Sequence, residues 1–430
     1  MTLPADPVAP ARSPWPGQAP HIAGHAAALS ATQRELLARA AEVGRLGLAP
    51  HAARHDRDAS FPFDSFDALR RAGLLALAVP AAHGGLGADF ASCALVIAEL
   101  GRHCAATALC FSMHVSACLS AGLAADLLDM SAAQRAEHER HRSLHFARIV
   151  RDGKLYAQPF SEGGAAAAGK APWATLARRV DGGYRLSGRK IFASLAGAAD
   201  FYAVLCTPDQ PGATLQDALY LAVPAGAPGL QICGEWDPLG MRGTVSRQLL
   251  LHDVFVADAE RLLPEGLHHP LAQRYPYLYT VQSPTYLGLA QAAYDFSVLY
   301  LRGELPGMGA VKRRMYPTKQ AAVAEMRVKL EQTRALFLQT VGEARIDPDD
   351  DARQRLYAAH HTVMENAHAV CALALRTCGG QAALKSLALE RLFRDARCGS
   401  LMLPWTAELC LDRLGRECLY GGAEGDERIE

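Results

Sequence analysis

A hydroxyl, a carboxylate and two glycines stand together at Ser161-Glu162-Gly163-Gly164, and a second polar cluster follows at Gly188-Arg189-Lys190-Ile191-Phe192-Ala193-Ser194. Between them, two β-like runs are separated by Asp181-Gly182-Gly183, whose glycines tolerate positive φ; the local reading is a β-hairpin. The other residues able to do chemistry are scattered. His114 lies in the nearly uncharged run from Phe90 to Leu127, where a lone histidine can be a catalytic group or a packing residue satisfied by the core. Eleven cysteines without a C-x-x-C pair fit reduced thiols better than a disulfide framework, and no metal centre is expected. No G-x-G-x-x-G follows a strand and opens a helix, so a Rossmann nucleotide site is not supported. Lysine plus arginine equals aspartate plus glutamate at 44 each, which argues against a nucleic-acid or anionic-membrane binder.

The elements that must position these residues fall into three blocks. The 430 residues are half hydrophobic, enough for sizeable cores in two or three units. The proline-rich stretch 1–28 reads as a disordered leader without a signal peptide or membrane span. From 29 to 153 the pattern is helical: Ser30 and Gln33 form a capping box, Leu36, Leu37, Ala40 and Val43 recur at helical spacing, and the Phe90–Leu127 run is apolar on all sides, as in buried helices. From 154 to 262 short period-two runs broken by Gly, Pro and Asp indicate an antiparallel β-domain. From 263 to 430 four amphipathic segments, Thr285–Leu301, Thr318–Ala344, Asp350–Thr377 and Leu387–Ala396, argue for a four-helix bundle. The fold class is α+β, in the order helical domain, β-domain, bundle.

Taken together, Ser161-Glu162-Gly163, Gly188 to Ser194, Gly240-Met241-Arg242-Gly243 and Glu390-Arg391-Leu392-Phe393-Arg394-Asp395-Ala396-Arg397 resemble the motifs T-E-P-x-x-G-S-D, G-x-K-x-(W/F)-(I/A)-(T/S), G-M-R-G and eRl.RDar of the acyl-CoA dehydrogenase family. The resemblance implies a cytoplasmic, oligomeric flavoprotein, dimer or tetramer, holding FAD. By similarity Phe192 packs on the isoalloxazine, Ser194 stands near N5, and Phe160 and Ser161 meet the pyrimidine edge. Arg302, Gln320, Gly379 and Gly380 match segments that grip the rest of the cofactor from a neighbouring subunit; a guanidinium suits phosphate oxygens. Arg394 and Asp395 are read as structural links.

The resemblance breaks at the base. Family members remove an α-proton from an acyl thioester with a carboxylate, which must stand within hydrogen-bond reach of that carbon. One position for it falls here on Leu403 or Pro404, the other on Tyr277, Leu278 or Tyr279, and neither holds an acid. The Gly-Ser-Asp after Gly163 has become alanine. The first reading is therefore an FAD-dependent dehydrogenase of a CoA or carrier-protein thioester with a relocated base, Glu408, Glu162 or His114. The alternatives are a flavin monooxygenase or oxidase on the same scaffold, which needs no such carboxylate, and an inactive flavin-binding homologue. Tyr277, Tyr279, Tyr286 and Trp405 are the expected substrate-facing residues.

Overall fold

The computed structural model describes residues 29–163, 171–306, 308–309 and 313–420; the expected leader, Gly164 and the whole alanine run after it lie outside them. The first block is helical: α1 (Ala31–Val43), α2 (Ala52–Asp58), α3 (Phe63–Arg71), α4 (Phe90–His103), α5 (Ala105–Ala121), α6 (Leu123–Asp126) and α7 (Ala132–Val150). The Ser30 hydroxyl accepts from Gln33 N and the Gln33 side chain reaches back, which closes the expected capping box. The segment Ala105–Asp126 is long and apolar enough to cross a membrane, yet 89% of its apolar window is buried inside the protein. Its faces are used by α4, β1 and the bundle.

Seven strands follow: β1 (Tyr156–Ala157), β2 (Leu176–Val180), β3 (Gly183–Ala193), β4 (Phe201–Pro208), β5 (Leu219–Pro224), β6 (Leu230–Cys233) and β7 (Arg247–Ala257). They form one sheet in the order β1-β4-β2-β3-β7-β6, with β5 also on β4. Four pairings are antiparallel as expected. Two are parallel, β1 with β4 and β2 with β4, each over two residue pairs, so the sheet is mixed where β4 branches. Strand β4 is buried from Tyr202 to Thr207, which explains why it reads as a continuous apolar run rather than an alternating one.

The last block comprises α8 (His268–Arg274), α9 (Ser283–Arg302), α10 (Pro317–Gly342), α11 (Asp350–Cys378), α12 (Ala388–Gly399) and α13 (Ala407–Tyr420). Helix α9 is the axis, touching α4, α10, α11 and α12. It meets α4 at backbone distance: a Cβ on Gly288 would lie 2.0 Å from Ala98 O, and one on Gly101 2.4 Å from Thr285 O. The same crossing carries a buried ion pair, Arg102 Nη2 to Asp295 Oδ2 at 2.7 Å, with Gln291 Nε2 donating to Asp295 Oδ1. Helical domain and bundle are therefore fixed to one another by close backbone approach and by charge.

Candidate active site

Strand β3 ends in an irregularity. Its register with β7 shifts between Lys190 and Ala193, and Phe192 takes φ +51. In a regular strand Phe192 would share the buried face of Lys190, two residues before it; the bulge turns the ring outward instead, 66% exposed. A bulky residue at positive φ is strained, and Leu195, Met241 and Val245 share that strain nearby. Among the described residues, four of the seven positive-φ non-glycines thus lie in this one corner, the kind of clustering found where backbone strain serves a site.

The corner is tied together locally. Leu195 N donates to Thr244 O, and the hydroxyls of Ser194, Ser246 and Thr244 form a chain with spacings of 2.8 and 2.7 Å, ending on Met241 O. Trp236 presents its ring edge-on to Phe192 with centroids 6.5 Å apart, while its Nε1 donates to Arg242 O. The loop carrying Gly240 to Gly243 is anchored from behind. Asp395 accepts from Met241 N at 2.5 Å, and Arg394 pairs with Asp56 and Glu390 while donating to Leu239 O. A Cβ on Gly240 would lie 2.4 Å from Arg394 O, so glycine is required for that docking. Arg394 and Asp395 have the contacts of structural links. Burial raises the Asp395 carboxyl to a pKa of about 6.

This arrangement suits a planar conjugated ring: an aromatic face left exposed among the described residues, with hydroxyls along one border. Ser161 lies alongside, its carbonyl accepting from Ile191 N at 2.8 Å. Phe160 turns the other way, into an aromatic group with Trp173, Tyr220 and His268.

A second feature lies on the bundle. Arg302, Arg314, Lys319, Gln320 and Arg327 line a cavity of about 400 Å³ floored by Tyr294, Val298 and Leu301. Four cations and an amide around an apolar floor are a donor set for an anionic ligand. Gln320 Nε2 donates to Arg314 O, and Arg302 has only a distant acid, Glu304, at 3.9 Å. Gly379, at φ +83, and Gly380 have open space where a Cβ would stand.

The two family positions for the base are neighbours in space. The Tyr279 ring lies 5.4 Å from that of Trp405, which also packs on Tyr357 at 4.6 Å and stands edge-on to His360. Trp405 is 2% exposed and its carbonyl accepts from His360 Nε2. Tyr277 and Tyr286 are also buried: Tyr277 donates to Glu343 O at 3.2 Å, and Tyr286 donates to Met402 Sδ. Tyr279 and Trp405 are thus brought together as packed rings, while Tyr286 packs on Met402 and against Gly399.

The expected bases need correction. His114 is completely buried; Nε2 donates to Leu75 O and Nδ1 accepts from Tyr156 N, so both ring nitrogens are used by backbone. Burial pushes its pKa down to about 4, which keeps it neutral. Glu162 accepts from Thr175 N, the Thr175 hydroxyl and Lys190 Nζ on Oε1 and from Ala174 N on Oε2, so its carboxylate is committed to an ion pair and to backbone rather than aimed at a substrate. Glu408 stands exposed in the first turn of α13. Sequence reading passed over Trp236, Ser246, Arg314, Lys319 and Arg327. Lys190 was visible inside the G-x-K motif but given no task.

The order of helices, sheet and bundle agrees with comparison to known proteins. Residues 30–126, 159–254 and 280–401 match the N-terminal, middle and C-terminal domains described for acyl-CoA dehydrogenases. The chain belongs to the acyl-CoA dehydrogenase family. Within that family its relatives diverge in chemistry. YdbM of Bacillus subtilis, which carries an acyl-CoA dehydrogenase name, is 30% identical over 81% of this chain and 87% of its own. L-evernosamine nitrososynthase of a Micromonospora species is 32% identical over 86% of this chain and 87% of its own. KijD3, solved with FMN and dTDP-3-amino-2,3,6-trideoxy-4-keto-3-methyl-D-glucose, superposes with a TM-score of 0.76 at 25% identity, covering 93% of this chain and 96% of its own. The FMN in KijD3 overturns the expectation of FAD.

Proposed function

We propose that this family member is an FMN-dependent monooxygenase acting on a nucleophilic nitrogen of a small substrate, an amino sugar being the class its relatives suggest. The observation that carries the reading is the absence of a carboxylate at both family base positions, together with the tight aromatic packing of that region around Trp405. Thioester dehydrogenation requires an acid within reach of the α-carbon, whereas oxygen transfer to an amine lone pair does not. The nitrososynthase relative and the FMN and amino-sugar ligands of KijD3 support the same choice.

Reduced FMN, when bound, supplies the activation of dioxygen. The chain's part is to hold and orient. Phe192 offers its exposed face to the ring, and Ser194, backed by Ser246 and Thr244, offers a hydroxyl near the reacting edge. The cations around Arg302 offer a seat for the phosphate, contributed by a second copy of the chain, with Gly379 and Gly380 leaving its backbone open to approach. Tyr286 and Trp405 are buried and Tyr279 partly so, which leaves these rings as packing rather than as donors to a substrate.

The test is direct. Purified protein is supplied with FMN, a reductase, NADH and oxygen, and offered nucleotide-linked amino sugars; mass spectrometry is expected to find an oxygenated amine. If the protein instead retains a flavin that is bleached anaerobically by acyl-CoA thioesters, the dehydrogenase reading replaces this one.

A further inference from the structure

One ion pair beside the proposed flavin wall has no part in the reading above. The Lys190 side chain is fully buried. Its ammonium is 2.5 Å from Glu162 Oε1, 2.6 Å from Leu205 O and 4.7 Å from the centroid of the Trp173 ring. The Glu162 side chain is 4% exposed and reaches forward as well, accepting from Ala174 N at 2.5 Å, Thr175 N at 3.0 Å and the Thr175 hydroxyl. A single carboxylate thus gathers three pieces of chain: its own segment, the backbone twelve and thirteen residues later, and strand β3. Desolvation lowers the Lys190 pKa, and contact with the carboxylate opposes that shift.

The site of this knot matters. Ser161 precedes Glu162 and Phe192 follows Lys190 by two, and Ser161 O accepts from Ile191 N between them. The ion pair and that hydrogen bond are therefore successive fasteners along one seam. β3 leaves its regular register at Lys190, and the strained Phe192 needs surroundings that over-determine it. A buried, fully bonded pair does this better than apolar packing because each hydrogen bond fixes a direction as well as a distance.

We infer that Lys190 and Glu162 are positioning residues for the flavin, holding the Ser161 edge and the outward-turned Phe192 ring in the geometry the cofactor requires. The inference rests on the flavin reading above. It assigns a task to Glu162, which is not free to act as a base, and to Lys190, and neither residue touches the reacting atoms.

The experiment compares wild type with Glu162→Asp, Lys190→Met and Phe192→Ala for FMN affinity by fluorescence quenching, the midpoint potential of bound FMN, and hydrogen exchange at the Ala174 and Thr175 amides. Glu162→Asp keeps the charge but withdraws the carboxylate by one methylene, so it remains informative should Lys190→Met fail to fold. The expected result for Glu162→Asp is FMN binding about tenfold weaker, a shifted potential, and faster exchange at both amides. A Glu162→Asp protein with faster exchange but wild-type FMN affinity and potential, alongside weakened binding in Phe192→Ala, overturns the positioning role and leaves the flavin reading intact. A wild type that binds no FMN, or a Phe192→Ala variant that binds it as wild type does, overturns the flavin reading and this inference with it.

Discussion

The Phe192 corner and the Trp405 corner are built on opposite principles. At the first, a large aromatic is held 66% exposed at φ +51, and three neighbouring non-glycine residues also carry positive φ. At the second, an equally large aromatic is 2% exposed and boxed by Tyr279, Tyr357 and His360. Stability alone would bury Phe192 and relax its backbone, so exposure combined with positive φ is what the proposed cofactor contact accounts for. The Trp405 corner is where the family would place its base, and the chain has filled it with packed rings. On the proposed function, the first corner is the cofactor wall and the second carries no proton-abstracting group.

That contrast can be broken or sharpened by substitution. The largest effect is expected at the closed corner: Trp405→Ala removes a fully packed ring and should cost about 3–5 kcal/mol in urea unfolding, with little change in FMN affinity for the protein that stays folded. A loss below about 1 kcal/mol would mean that the box is loose and the corner open.

Next comes the buried histidine that the sequence offered as a base. The folded-state pKa of His114, about 4, lies below its ordinary value of 6.5, so the folded protein binds fewer protons than the unfolded chain between those limits. The stability His114 contributes is fully present above pH 6.5 and falls away as the pH drops toward 4, by up to roughly 3 kcal/mol. Burial lowers His138, His145, His268 and His360 in the same way, so unfolding measured from pH 7.5 to 4.5 should show their summed slope, and His114→Gln should remove only its own share while leaving the pH dependence of turnover in place. A turnover profile that changes with this substitution would return His114 to the chemistry.

At the open corner the sign reverses. Phe192→Gly relieves the positive φ and gives up little buried surface, so it is expected to raise stability by about 1 kcal/mol while weakening FMN binding. Thermal melts and flavin titration on the same sample test both halves, and destabilisation would mean that Phe192 already packs within the fold. The smallest effect is expected from Leu403→Glu, which puts an acid on a 38% exposed position. Stability should stay within about 0.5 kcal/mol, and acyl-CoA should not bleach the flavin, since the adjacent rings still close the space. Bleaching would show that a single carboxylate at this position suffices for thioester dehydrogenation and that the corner is open.

The sequence alone determined the order of the three blocks and, to within a few residues, the four long helices it expected, because amphipathic spacing, caps and glycine stops are local; Asp350–Thr377 was expected and Asp350–Cys378 is found, whereas α8 and α13 were not expected. It also determined the family, through motifs whose residues are contiguous. Tertiary structure alone decided what those residues do. Glu162 and Lys190 are 28 positions apart and become a pair only through the bend back from β3. Trp236 reaches Phe192 only because the Gly240 loop docks on α12, and His114 loses both ring nitrogens to backbone supplied by Leu75 and Tyr156. Such contacts depend on distances through space between segments far apart in the chain, which residue spacing along the sequence does not encode.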